Sequence, residues 1–374
     1  MVPLLCAFIS LLIGVSATLL SVSVQDGKIS ALVRMQPDEP MATVARDADP
    51  GFAFTPQGHY DGVYAYAIAI DPLARGDSPA LIDFPAYRYG RAAYGWVAGL
   101  VSVGDAAKVP LALFLINLIG LVGGSFGASL VASRLGLSPW GGLLVALNPG
   151  IIYGLTADTS EPFSAGLLAA GLLAWFGGRR ILAAGLFALL CLVKEPFVAV
   201  PLGLVVWEIV SARRERSAVD IKPRLGLLAA SIAPLPLWWV YVHAQIGQWP
   251  TDQPGFVTKP LIGWLDTMRQ AAGLGLSGFY EQQIGTIQLP LLVVIAAALI
   301  LGAIWSLKIR SPLAPIFLGF FAVATLFNWY QLLFAKELFR ILAIPLLILP
   351  GVFAARRGWD SGQEETPRLR EEAA

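Results

Sequence analysis

Asp61 heads the stretch YDGVYAYAIAIDP at 60–72, where a carboxylate has two uses. At a helix start Asp is a preferred N-cap. As a general base it takes the proton of an attacking hydroxyl. Other charged groups pose the same choice between architecture and chemistry. Asp158 and Glu161, in TADTSEPF, fit a helix start capped by Thr159 or Ser160, with Pro162 in the first turn. They equally suit binding of ligand hydroxyls, or a divalent cation held jointly with Asp61; such an oxygen-only set matches magnesium, calcium or manganese. Lys194 and Glu195 either pair with each other at a turn before Pro196 or face a ligand. Arg88 and Arg91 either contact lipid phosphates or grip a phosphate of the substrate. Lys336 and Arg340, in AKELFRILAIP, lie four residues apart on one helical face. Such an Arg either snorkels to a membrane surface or offers a planar fork to a phosphate beside the point charge of the Lys.

The elements that must position these residues are apolar. Of 374 residues 56% are hydrophobic and only 14% charged, with mean hydropathy +0.68. A soluble domain carries about 25% charged residues, so the apolar surplus faces lipid. The expected fold is all-α, a polytopic transmembrane helical bundle. Net charge is +1, which gives nucleic acid no field to follow. Cys6 and Cys191 exclude a disulfide framework, and His59 and His243 are too few for the usual histidine metal clusters.

Ten apolar runs are legible: 2–24, 108–133, 138–155, 162–177, 181–193, 196–211, 225–243, 288–307, 312–334 and 338–355. The first competes with a secretory signal peptide, since VSA at 15–17 has the small residues of a cleavage site, but no Lys or Arg precedes it and it is long. It is read as a retained helix. Every second connection is basic: Arg134; Arg179 and Arg180; Arg213 to Arg224; Lys308 and Arg310; Arg356 and Arg357. These connections and both termini are therefore expected in the cytoplasm. The same rule favours a hairpin at Lys194–Pro196 over one continuous helix from 181 to 211. The other side then holds two large loops, 25–107 and 244–287, together with Asp158, Glu161, Lys194, Glu195, Lys336, Glu337 and Arg340. Ionisable groups just below a membrane surface are costly and are functional candidates by default. Residues 1–355 form one membrane domain in this reading, and the polar tail 356–374 is disordered.

The first large loop holds two short helices, one from Asp61 to Pro72 and one from Tyr87 to Val103. Neither can cross a bilayer. Both are expected at the membrane surface, with Tyr87, Tyr89 and Tyr94 as aromatic-belt residues. In the second loop Leu261, Trp264, Leu265 and Met268 follow helical spacing and predict a further interfacial helix. No internal repeat and no Gly-rich phosphate loop is present.

A long first outer loop with an Asp before a short aromatic helix, a second amphipathic helix and then many spans resembles the GT-C superfamily of integral-membrane glycosyltransferases. YDGVYAYAIAIDP (60–72) is similar to the Asp-containing segment of PIG-V-like mannosyltransferases. FPAYRYGRAAYGWVAGLVSVG (84–104) looks like the second juxtamembrane helix of bacterial aminoarabinose and protein mannosyl transferases. ALNPGIIYGLTADTSEPFSAGLL (146–168) looks like the turn between their third and fourth helices. The likeness covers the first 210 residues or so, and no Asp-x-Asp pair stands beside the helix: Asp47 and Asp49 lie well upstream. The resemblance implies an inverting transferase of the bacterial plasma membrane, working on its extracytoplasmic face. It implies a polyprenyl-phosphate sugar as donor and a glycan, lipid or protein hydroxyl as acceptor. Asp61 is then the general base. Arg340, Lys336, Arg88 and Arg91 take the donor phosphate, and Tyr64, Asp158, Glu161, Lys194 and Glu195 bind acceptor or sugar. No cofactor is required; a divalent cation on Asp61, Asp158 and Glu161 stays open. A transporter or lipid flippase, which places charges near the midplane, and a non-catalytic envelope assembly protein are the alternatives.

Overall fold

A computed structural model describes residues 1–56, 58–215, 220–253, 257–273 and 288–355. The tail 356–374, Arg216, and parts of the 244–287 loop lie outside the described residues. The protein is all-helical; among the described residues β pairing is limited to an isolated bridge between Val257 and Phe327.

α1 (Val2–Ser23) is uncharged and about 33 Å long, enough to cross a bilayer. Its small face, Cys6, Ser10, Gly14 and Thr18, is buried at four-residue spacing, while Leu4, Phe8, Leu12 and Leu19 are exposed. Four short helices then fill the first loop: α2 (Pro40–Ala48), α3 (Gly62–Ile70), α4 (Pro85–Tyr89) and α5 (Ala93–Val101). α2 was not expected. The expected helix at 87–103 is two helices, broken at Gly90–Ala92. The expectation of an open amphipathic face on α3 and of belt positions for the tyrosines is corrected. Every residue of α3 from Gly62 to Ala69 is buried, and Tyr87, Tyr89 and Tyr94 are at most 8% exposed. α3 is apolar on all sides, so it packs between α5 and α6 (Val109–Arg134) instead of floating with one wet face.

α7 (Pro149–Thr156), α8 (Glu161–Phe176), α9 (Arg180–Val193), α10 (Ala199–Glu215), α11 (Lys222–Ile232) and α12 (Pro234–Ile246) follow. α13 (Ile262–Ala271) is the expected second-loop helix, its Trp264 buried and donating from Nε1 to the Ala324 carbonyl at 2.8 Å. α14 (Gln288–Ser306), α15 (Leu313–Ala324), α16 (Trp329–Leu333), α17 (Ala335–Ile341) and α18 (Ala343–Ala354) complete the described chain.

Five helical stretches among the described residues are long and apolar enough to span a membrane: Val2–Ser23, Ala106–Arg134, Glu195–Arg214, Lys222–Ile246 and Gln288–Ser306. α17 and α18 make a sixth, bent by 62° at Leu342. α8, α9 and α15 are apolar but shorter. The expected continuous spans 138–155 and 312–334 are each broken. The first breaks at Asn148–Pro149, because the residue before a proline is driven out of the helical region; Asn148 then caps α7 through Gly150 N–H at 3.0 Å. The second breaks at Asn328, which forms a capping box with Gln331.

Close backbone approach fixes the centre of the bundle. A Cβ at Gly120 of α6 would lie 2.7 Å from the Phe163 Cα of α8, so only glycine permits this contact. Charge marks the two ends. Arg224 donates to Glu208 at 2.8 Å, and Arg180 feels the charge of both. The start of α9 and the end of α10 therefore lie together, and the chain reverses at Lys194–Pro196. Glu161 and Lys194 lie at the far ends of α8 and α9 from these arginines.

Candidate active site

A cavity of about 730 Å³ opens at that far end. The first loop, the start of α8, the 194–197 turn, α15, the 327–334 segment and α17 all contribute to its wall. Asp61 lies on that wall. The residue occupies the N-cap position of α3, yet its side chain makes no capping hydrogen bond. Its Oδ1 accepts from Arg88 Nη1 at 3.1 Å, and its Oδ2 accepts from Arg340 Nη1. The architectural reading of Asp61 is thereby set aside: the carboxylate is spent on two guanidinium groups, not on the helix.

Both arginines are themselves positioned. Arg88 Nε donates to Asp83 at 3.2 Å, and its guanidinium lies 3.5 Å from the centre of the Tyr64 ring. Arg340 Nη2 donates to Glu337 Oε2 at 2.9 Å, while Glu337 Oε1 accepts from Tyr60 at 2.5 Å. Arg340 and Lys336 both stand over the Tyr60 ring, at 4.9 and 5.2 Å from its centre, which bears out their shared face. Burial alone would push the Asp61 carboxyl up; Arg340 and Arg88 outweigh it and hold the group well below the usual carboxylate range.

Lys194 and Glu195 do not pair with each other. Lys194 is extended, with φ −156° and ψ 136°, so its side chain and its neighbour's point in opposite directions. Lys194 donates to Glu161 and Glu195 takes the Arg91 fork, its Oε2 accepting from Nε at 2.8 Å. Arg91 and Arg88 thus turn inward, half-buried among carboxylates. Glu161 also accepts from Thr159, and Ser160 at the N-cap of α8 makes no capping bond.

Asp158 is placed differently. It is fully buried with φ +45°, neither carboxylate oxygen has a hydrogen-bond partner, and it faces a separate cavity of about 60 Å³ that also touches Asp61. Burial pushes its carboxyl well above the usual range, with Arg34 pulling the other way. Among the described residues no three of His, Cys, Asp or Glu gather round one point, so Asp61, Asp158 and Glu161 do not converge as a cation site.

No known protein family, characterised protein or solved structure matches this chain.

Sequence reasoning missed three residues of this network, Tyr60, His59 and Asn117, and gave Glu337 no role beyond its charge. Tyr60 and Glu337 form the platform under Arg340. His59 bridges Glu39 Oε1 at 2.8 Å and the Tyr64 hydroxyl at 2.6 Å on the cavity rim. Asn117, buried in the apolar run of α6, donates to the Thr159 carbonyl at 3.0 Å and to the Tyr94 hydroxyl at 2.7 Å, and it accepts from Phe163 N–H. It fixes the turn that presents Glu161. A polar amide alone in an apolar span was the available signal.

Proposed function

We propose that this protein is a GT-C-like membrane glycosyltransferase that moves a sugar from a polyprenyl-phosphate carrier to an acceptor hydroxyl on the extracytoplasmic side of a bacterial plasma membrane. The observation that carries the reading is the Asp61 carboxylate held between Arg88 and Arg340 on the wall of a large cavity. One carboxylate to take a proton, beside cations to take a phosphate, is the minimum equipment for displacing a phosphate from an anomeric carbon. The acceptor oxygen bonds to the anomeric carbon while its proton passes to Asp61. The bond from that carbon to the carrier oxygen breaks, and the phosphate leaves with the electron pair. Its growing charge is stabilised by Arg340 and Arg88, and Lys336 stands near enough to assist. A single displacement of this kind inverts the anomeric centre.

The charge pattern supports the sidedness: basic connections lie away from the site, so the site end is extracytoplasmic under the positive-inside rule. Ten crossings follow if the broken and short helices each count as one. Transporters place ionisable groups near the midplane; the charges of this cavity collect at one end of α8 and α9 instead.

The test is transfer by the purified full-length protein with a polyprenyl-phosphate sugar, product being followed by mass spectrometry. Asp61→Asn keeps the shape of the side chain and loses no capping bond, since none exists. It should lower kcat by about 10²-fold or more. Transfer at the wild-type rate by a folded Asp61→Asn protein would overturn the base assignment.

A further inference from the structure

The cavity wall carries five cations, and their partners are unequal. Arg91 gives two of its nitrogens to Glu195, and Lys194 pairs with Glu161. Lys336 has no carboxylate partner among the described residues and rests only on the Tyr60 ring. The Nε–H of Arg340 is buried with no acceptor at all. An unsatisfied buried donor on a guanidinium is costly. Beside Asp61 there is therefore one buried guanidinium donor without an acceptor and one exposed ammonium without a carboxylate, both on residues that stand over the Tyr60 ring. A carboxylate has two oxygens, and those of Asp61 are already committed to Arg88 and Arg340. A phosphate has more oxygens and can satisfy all of these donors together.

We propose that Asp61 is an internal stand-in for the substrate's phosphate, which on binding displaces it from Arg88 and Arg340 and so frees the carboxylate to act as a base. The inference rests on the transferase reading for its substrate but makes a separate claim about binding. A carboxylate gripped by two guanidinium groups has little proton affinity, so while Asp61 holds Arg88 and Arg340 it does not activate water or an acceptor. Once a phosphate takes the cations, Asp61 loses the charges that depress it. Activation of the hydroxyl is thus tied to the presence of a donor.

This exchange predicts an unusual mutant. If Asp61 competes with phosphate, removing its charge strengthens phosphate binding. Affinities of the purified full-length protein for inorganic phosphate and for farnesyl phosphate, measured by isothermal titration calorimetry, test it. Asp61→Asn should bind at least one of these about tenfold tighter than wild type, since one competing charged hydrogen bond is worth about that factor. Glu337→Gln, which loosens the second grip on Arg340, should tighten binding by a smaller factor and decides the matter if Asp61→Asn fails to fold. A gain with both ligands assigns the exchange to the phosphate group itself; a gain with farnesyl phosphate alone assigns it to a lipid-borne phosphate. Unchanged or weaker binding of both ligands by the folded variants overturns the proposal. Tighter binding by Asp61→Asn, in a protein whose wild type transfers no sugar, would uphold the exchange while removing the transferase reading.

Discussion

Replacing Arg340 by lysine separates charge from shape. The guanidinium uses one nitrogen for Asp61 and another for Glu337, and these carboxylates belong to parts of the chain 279 and 3 residues away. The Arg340 side chain is 11% exposed and those of Asp61 and Glu337 are 31% and 17%, so the contacts are partly shielded from water. A lysine keeps the positive charge but cannot occupy both positions with the fork's geometry. It gives up roughly one charged hydrogen bond, worth about 1.5–3 kcal/mol. At about 1.4 kcal/mol per decade this is a loss of roughly 10–150-fold in kcat/KM. Arg340→Ala removes the proposed donor to the leaving phosphate entirely and should lower kcat by about 10²–10³-fold. Steady-state kinetics of the purified protein in lipid nanodiscs, with a polyprenyl-phosphate sugar, read both variants. Lysine should fall between wild type and alanine in kcat and in donor KM. A residue that merely reaches for the membrane surface tolerates lysine, so Arg340→Lys with both parameters at wild-type values would refute the reasoning.

Three further outcomes are expected. Lys194→Met strands Glu161, whose side chain is 4% exposed, and should destabilise by about 3–5 kcal/mol; adding Glu161→Gln should restore most of it, and a double variant as unstable as the sum would contradict a paired buried charge. The Asp61 carboxyl is depressed in the folded state, so its contribution is complete above the unfolded value of about 3.9 and fades as pH falls. The excess in thermal stability of wild type over Asp61→Asn should therefore hold from about pH 8 to 5 and shrink toward pH 3; a gap that widens in acid has the wrong sign. In intact cells an impermeant thiol reagent should label Thr251→Cys but not Ser138→Cys, two exposed positions in a chain whose own cysteines are buried; labelling of Ser138→Cys would invert the proposed topology.

Hydropathy and charge made the helical class, the membrane character and the reversal at Lys194–Pro196 readable, because each is a property of a short window. What windows do not contain is pairing. Nothing near Asp61 shows that its partners are Arg88 and Arg340, and nothing near Lys194 shows that it crosses to Glu161. Partner choice depends on how helices stack, here on the glycine contact of Gly120 with α8, which only the fold reveals. Aromatic residues misled for a related reason. Tyr87, Tyr89 and Tyr94 have the composition of a surface belt, but their helices are covered by others, and burial overrode the local signal. The breaks at Asn148 and Asn328 were legible in principle, since each Asn is a helix-start residue inside an apolar run.

The distance in sequence between Asp61 and Arg340 also sets a clock. At about 5–20 residues per second of synthesis, the 279 residues between them take roughly 14 to 56 seconds to emerge. Throughout that interval the loop bearing Asp61 has Arg88 as its near partner and lacks the cation that closes the far wall. The bent pair of α17 and α18 emerges after every other element that lines the cavity, and only its arrival brings the second cation to Asp61. A chain stalled or clipped before residue 340 therefore carries the acidic residue without its second cation.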